Sequence, residues 1–177
     1  MTSPSHELPE ATHLPEPGKT WSRYVAIGDS FTEGMSDKAP GREGQYIGWA
    51  DRLASHLATL AHEAGHDFAY ANLAVRGRLL ADVIGPQLDA ALELGPDLVS
   101  MVGGGNDILR PKADLDSIAA HLEAAVVRIQ ASGADVLLAT PVDPADARLI
   151  RHLRGRHAIH TANIFSIAQL HLSLIHI

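Results

Sequence analysis

"GPDLVSMVGGG", residues 95–105, strings together a turn signal, a five-residue apolar run and three glycines. The run Leu98–Val102 lacks the polar alternation of a half-wet strand, so it reads as a strand buried on both faces. The same pattern recurs on either side. "DVLLAT" (135–140) is a second such run, stopped by Pro141, and "FAYANLAV" (68–75) and Tyr24-Val25-Ala26-Ile27 ahead of Gly28 are two more. Between them lie stretches of helical period. One spans 46–64, with Tyr46, Trp49, Ala50, Leu53, Leu57, Leu60, Ala61 and Ala64 on its stripe. Another spans 78–92, where Pro86 should kink or split the helix. The clearest begins at Asp114, which can cap it, and carries Leu115, Ile118, Ala119, Leu122, Ala125, Val126 and Ile129 on one face until Gly133. Two further helices are expected around 145–153 and 156–170.

Apolar strands alternating with amphipathic helices predict an α/β fold with a parallel sheet covered on both faces. Connections of one hand gather the loops that follow the strands along one edge, where ligands bind in such sheets. Four loops are thereby singled out: 28–34, 75–79, 103–111 and 140–146.

Composition narrows the function. The chain has 177 residues, 46% of them hydrophobic, enough for one globular domain. Residues 1–21 hold four prolines and little apolar bulk, which predicts a disordered arm ahead of a domain spanning 22–169. The arm has no basic start before an apolar core, so it is not a secretory signal, and no segment is long enough for a membrane span. A cytoplasmic location is expected. The net charge of −7 without a basic block argues against nucleic acid, and zero cysteines exclude disulfides and thiolate catalysis. The histidines His152, His157 and His160, with His171 and His176 in the tail, form a loosely spaced polar face without the convergence a metal requires. No metal and no cofactor are expected.

The loops carry the chemistry. The first holds Asp29-Ser30 within "GDSFTEG" (28–34), the second Arg76-Gly77-Arg78 within "NLAVRG" (72–77), and the third Asn106-Asp107 after the glycines, with Arg110 beyond. A nucleophilic serine needs preorganised donors for the oxygen that becomes negative. The N–H of Ser30, the N–H of Gly77 and the side-chain amide of Asn106 could supply them. Asp29 and Asp107 read as loop-ordering carboxylates that accept backbone N–H groups. Taken alone, Ser30 could be a turn or helix-capping serine, Gly77 a residue that permits a left-handed turn, and the arginines solvated surface charge.

Three blocks in this order and register resemble those of the SGNH/GDSL hydrolases, and most closely the actinobacterial members. The resemblance implies a flavodoxin-like, three-layer α/β/α fold and a serine esterase or lipase that uses no cofactor and takes a small-molecule ester. It makes Ser30 the nucleophile, with Gly77 and Asn106 as oxyanion donors beside the Ser30 N–H. The family's general base comes from an Asp-x-x-His block after a fifth strand, and this sequence contains no Asp-x-x-His. No histidine is expected in a loop at the active edge to replace it. The ending "AQLHLSLIHI" (168–177) departs from helical period and resembles a translated sequencing-adapter tail. The expectation is that 170–177 is foreign, and that the natural chain continues differently to a last strand and the base. The runner-up is a base-less relative that binds a ligand without turning it over. A phosphate-cradling reading of "VGGGND" (102–107) ranks last, since neither G-x-x-x-x-G-K-[ST] nor G-x-G-x-x-G is present.

Overall fold

The computed structural model describes residues 19–34, 47–141 and 151–172. Four parallel strands form one sheet in the order β2-β1-β3-β4: β1 (Arg23–Ile27), β2 (Ala69–Asn72), β3 (Leu98–Met101) and β4 (Asp135–Leu138). This is the first part of the doubly wound 2-1-3-4-5 order, and its switch point lies between β1 and β3.

Alternation along β1 sorts the core into two layers. Val25 and Ile27, with Val99 and Met101 of β3, face the helices α3 (Leu80–Asp82), α4 (Leu88–Glu93), α6 (Leu115–Ala131) and α7 (Arg154–His171). Tyr24, Ala26 and Leu98 face α2 (Trp49–Glu63) through Ala50, Ala54 and Leu57. The expected three-layer α/β/α arrangement follows. Between Tyr24 and Ser100, both fully buried, a hydroxyl–hydroxyl bond of 2.6 Å ties the two central strands.

Several boundaries differ from the sequence expectation. Strand 68–75 is ordered as a strand only over Ala69–Asn72, and its residues are half-buried or exposed because β2 is an edge strand. The helix expected over 78–92 starts at Leu80 and is interrupted at Val83–Gln87 by a π-helical turn containing Pro86. Proline has no N–H for the helical ladder, and the chain meets that loss with a widened turn rather than a break. Asp114 caps α6 as expected, its carboxylate accepting from Ser117 N at 3.1 Å. The helix expected over 145–153 falls mostly on residues outside the described ones, apart from a 3₁₀ turn at Arg151–Leu153.

Of the N-terminal arm, residues 1–18 lie outside the described residues, while its last residues are held to the sheet. Trp21 Nε1 donates to Asp135 at 2.6 Å and Lys19 pairs with the same carboxylate. The first residues of the tail expected over 170–177 continue α7. His171 lies 2.7 Å from Glu123 and its carbonyl accepts from Gln130. Residues 173–177 lie outside the described ones. No described helix is long and apolar enough to cross a membrane.

Candidate active site

All three motif loops leave the carboxyl ends of parallel strands, so they share one edge of the sheet. At the end of β1 the backbone of Gly28 is gripped on both sides by one buried side chain. Gln87 Oε1 accepts from Gly28 N at 2.8 Å, and Gln87 Nε2 donates to Gly28 O at 3.0 Å. The π turn around Pro86 delivers Gln87 to that position.

Beyond Gly28 the chain enters a single turn, α1 (Ser30–Glu33). Its cap is Asp29, not Ser30: Asp29 Oδ1 accepts from Phe31 N at 3.0 Å. Burial raises the Asp29 carboxyl above the ordinary aspartate value, and the nearby Asp107 charge adds to the rise, against the lowering effect of the Phe31 bond. Ser30 therefore opens a helix with its side chain half-exposed.

The second loop is tied at both neighbours of Gly77. On one side, Glu33 of α1 accepts from Arg76 N at 2.9 Å, from Arg76 Nε at 3.0 Å and from Arg76 Nη2 at 3.0 Å. These bonds hold the Glu33 carboxyl below its ordinary value. On the other side, Asn106 Nδ2 donates to Arg78 O at 2.8 Å, with a longer contact of 3.4 Å to Asp29 Oδ2. Gly77 itself has φ +75°, and a Cβ built there would meet nothing within 4 Å. Its positive φ favours glycine, and among the described residues the space above it is open.

The third loop turns on Gly104 (φ +87°), which precedes the single turn α5 (Gly105–Ile108). A Cβ at Gly104 would lie 2.6 Å from His160 Cε1, so the imidazole of α7 occupies the space that glycine leaves. His160 is fully buried and its Nε2 is 3.0 Å from Gly103 O. A carbonyl only accepts, so Nε2 carries the proton, and among the described residues the buried Nδ1 has no partner. Burial depresses the His160 imidazole. Asp107 Oδ2 accepts from Leu80 N at 2.8 Å, and Arg156 of α7 donates to the carbonyls of Ile108, Arg110 and Pro111.

Ser30, Asp29 and Asn106 line one cavity of about 180 Å³, with Phe31, Pro141 and His157 completing its wall. His157 reaches this cavity from α7, not from a loop. Its Nε2 lies 3.0 Å from Pro141 O, which by the same rule places a proton on Nε2, and Nδ1 has no partner among the described residues. A larger groove of about 790 Å³ adjoins the two donor loops, walled by Leu80, Ala81, Ile84, Ile118, Arg110 and Lys112. Among the described residues no group of three or more His, Asp or Glu could hold a metal ion.

The sequence gives no role to Gln87 or Glu33, and it places His157 only on a loosely spaced polar face. The one local signal was the spacing of His157 and His160, three apart on a helix and therefore on one face.

A family profile described as "GDSL-like Lipase/Acylhydrolase family" matches residues 26–168. No curated protein matches the chain. Among solved structures, an alpha/beta hydrolase enzyme from the metagenome of Lake Arreo, Spain, is similar at 24% identity, covering 85% of this chain and 73% of its own, with a TM-score of 0.66. An acetyl xylan esterase from Geobacillus stearothermophilus aligns at 20% identity over 85% and 73% of the two chains, with a TM-score of 0.67. TesA aligns at 24% identity over 80% and 74%, with a TM-score of 0.55. At these identities the structural likeness speaks to the fold.

Proposed function

The chain belongs to the GDSL-like lipase/acylhydrolase family, and on that premise we propose that it is a serine hydrolase cleaving carboxylic esters through an acyl-enzyme on Ser30. The observation that carries the reading is the double tether of Gly77, through Arg76 to the helix of Ser30 and through Arg78 to Asn106. Among the described residues neither the Ser30 N–H nor the Gly77 N–H meets an acceptor, so both are available to a developing oxyanion. The amide hydrogen of Asn106 held only by the 3.4 Å contact to Asp29 is the third donor.

Ser30 Oγ attacks the ester carbonyl carbon, and the carbonyl oxygen takes the negative charge against these donors. Collapse breaks the bond to the alcohol oxygen, which leaves with a proton; water then repeats the sequence on the acyl-enzyme. The adjoining groove takes a substituent of the ester. Each step moves a proton through a base. The 177 residues contain no Asp-x-x-His, so no base is assigned on that motif.

A second reading rests on His157, which lines the Ser30 cavity and whose Nδ1 has no partner among the described residues. On it, His157 takes the Ser30 proton and the Pro141 carbonyl orients the ring. Phosphonylation by a fluorophosphonate separates the readings. Labelling of the wild type lost in Ser30→Ala supports the nucleophile, and labelling further lost in His157→Gln assigns the base to His157. Ester hydrolysis that survives Ser30→Ala refutes the proposal. A wild type that binds ester analogues but neither labels nor hydrolyses is the ligand-binding relative.

A further inference from the structure

We propose that Glu33 is a positioning residue for the oxyanion pocket: through its grip on Arg76 it fixes the direction of the Gly77 N–H relative to Ser30. The inference rests on the hydrolase reading of the same site. Glycine is the most conformationally permissive residue, and among the described residues nothing lies within 4 Å of a Cβ built at Gly77. Arg76, Gly77 and Arg78 are all exposed. Packing therefore does not hold this turn, and its tethers must.

The tether to Glu33 has a specific form. The carboxylate takes the backbone N–H of Arg76 as well as its Nε and Nη2. Main chain and guanidinium of one residue are thus fixed against a single anchor, and only the φ and ψ of Arg76 separate that anchor from the peptide bearing the Gly77 N–H. The anchor belongs to the one-turn helix that Ser30 begins, three residues before Glu33, so nucleophile and donor share a rigid reference. An exposed ion pair adds little to global stability. The value of this pair lies in direction, which gives the proposal a signature distinct from a merely structural contact.

The test uses the full chain with Glu33→Ala, Glu33→Gln and Arg76→Lys, read by kcat and KM on a short-chain p-nitrophenyl ester, thermal midpoint, and the backbone order parameter of Gly77 from ¹⁵N relaxation. Glu33→Ala should lower kcat roughly 10- to 100-fold, the cost of a donor misplaced by about 1 Å. KM should stay within about twofold and the midpoint nearly unchanged. The Gly77 order parameter should fall from a rigid value near 0.85 toward about 0.6. Arg76→Lys keeps the backbone N–H and the charge but loses the fork, so it should fall between the wild type and Glu33→Ala. Should Glu33→Ala not fold, Glu33→Gln carries the same comparison. An unchanged kcat with a rigid Gly77 overturns the proposal. If the wild type shows no Ser30-dependent turnover, the hydrolase reading fails, and the order parameter alone still decides whether Glu33 positions Gly77.

Discussion

The side-chain amide of Asn106 donates to the carbonyl of Arg78 at 2.8 Å, so the third loop grips the second one residue past Gly77. On the proposed reading, one side chain both supplies an oxyanion donor and restrains the loop that carries Gly77. Asn106→Ala should remove both effects and lower kcat by roughly 10²–10³, the usual cost of an oxyanion donor. Asn106→Asp should fare no better, since its carboxylate would face the Arg78 carbonyl and the buried Asp29. Steady-state kinetics on a short-chain ester checks this; a loss confined to KM would show that Asn106 only binds the ground state.

Gln87 satisfies both backbone groups of Gly28 from a position 59 residues away. Gln87→Leu fits an apolar side chain into the site but orphans the buried Gly28 N–H, while the Gly28 carbonyl keeps its bond from Val75 N at 3.2 Å. One such orphan costs about 1–3 kcal/mol, and the variant should lose about that much in urea unfolding. A loss below about 0.5 kcal/mol would mean that water replaces the amide. Because Gly28 leads directly to Asp29 and Ser30, esterase activity should fall as well.

Tyr24 and Ser100 join the two central strands by a buried 2.6 Å hydrogen bond. Burial pushes the Tyr24 hydroxyl up to about 12, so it stays protonated at ordinary pH. Tyr24→Phe leaves Ser100 alone in a dry core and should cost about 1–3 kcal/mol. Adding Ser100→Ala removes the orphan, and much of the loss should return. Denaturation of the two single variants and the double variant closes the cycle; strict additivity would deny the coupling.

What the sequence revealed depended on the range of the interaction. Strands β1 and β3 announce themselves because continuous apolar runs are a local signal, and Asp114 marks α6 because a cap acts within one turn. The motif loops are legible for the same reason. The single turns α1 and α5 are not, since four residues are too few to show a period. Nor are the tethers. Nothing near Gln87 says that its partner is Gly28, and Glu33 and Arg76 are 43 residues apart. Beyond spacing, nothing marks His157 and His160 as facing the loops. Their packing against 103–105 and Pro141 comes from the register of α7 on the sheet, which only the folded chain determines.

His160 makes stability depend on pH. Burial holds its imidazole below the ordinary 6.5, with the His157 charge acting the same way and the Gly103 bond and Asp107 acting against it. The unfolded chain therefore binds a proton at this residue more readily than the folded one. Its contribution to stability is complete above about pH 6.5 and is lost progressively as the pH falls from there toward the folded-state value. His160→Gln removes the titration and keeps a donor for the Gly103 carbonyl, at some cost from imperfect fit beside Gly104. Urea midpoints of both proteins between about pH 8 and pH 5 test the assignment. The wild type should lose stability more steeply on acidification, and the gap between the two should narrow as the pH drops. Parallel curves would show that the other histidines and carboxylates, not the imidazole beneath the glycine turn, set the acid response.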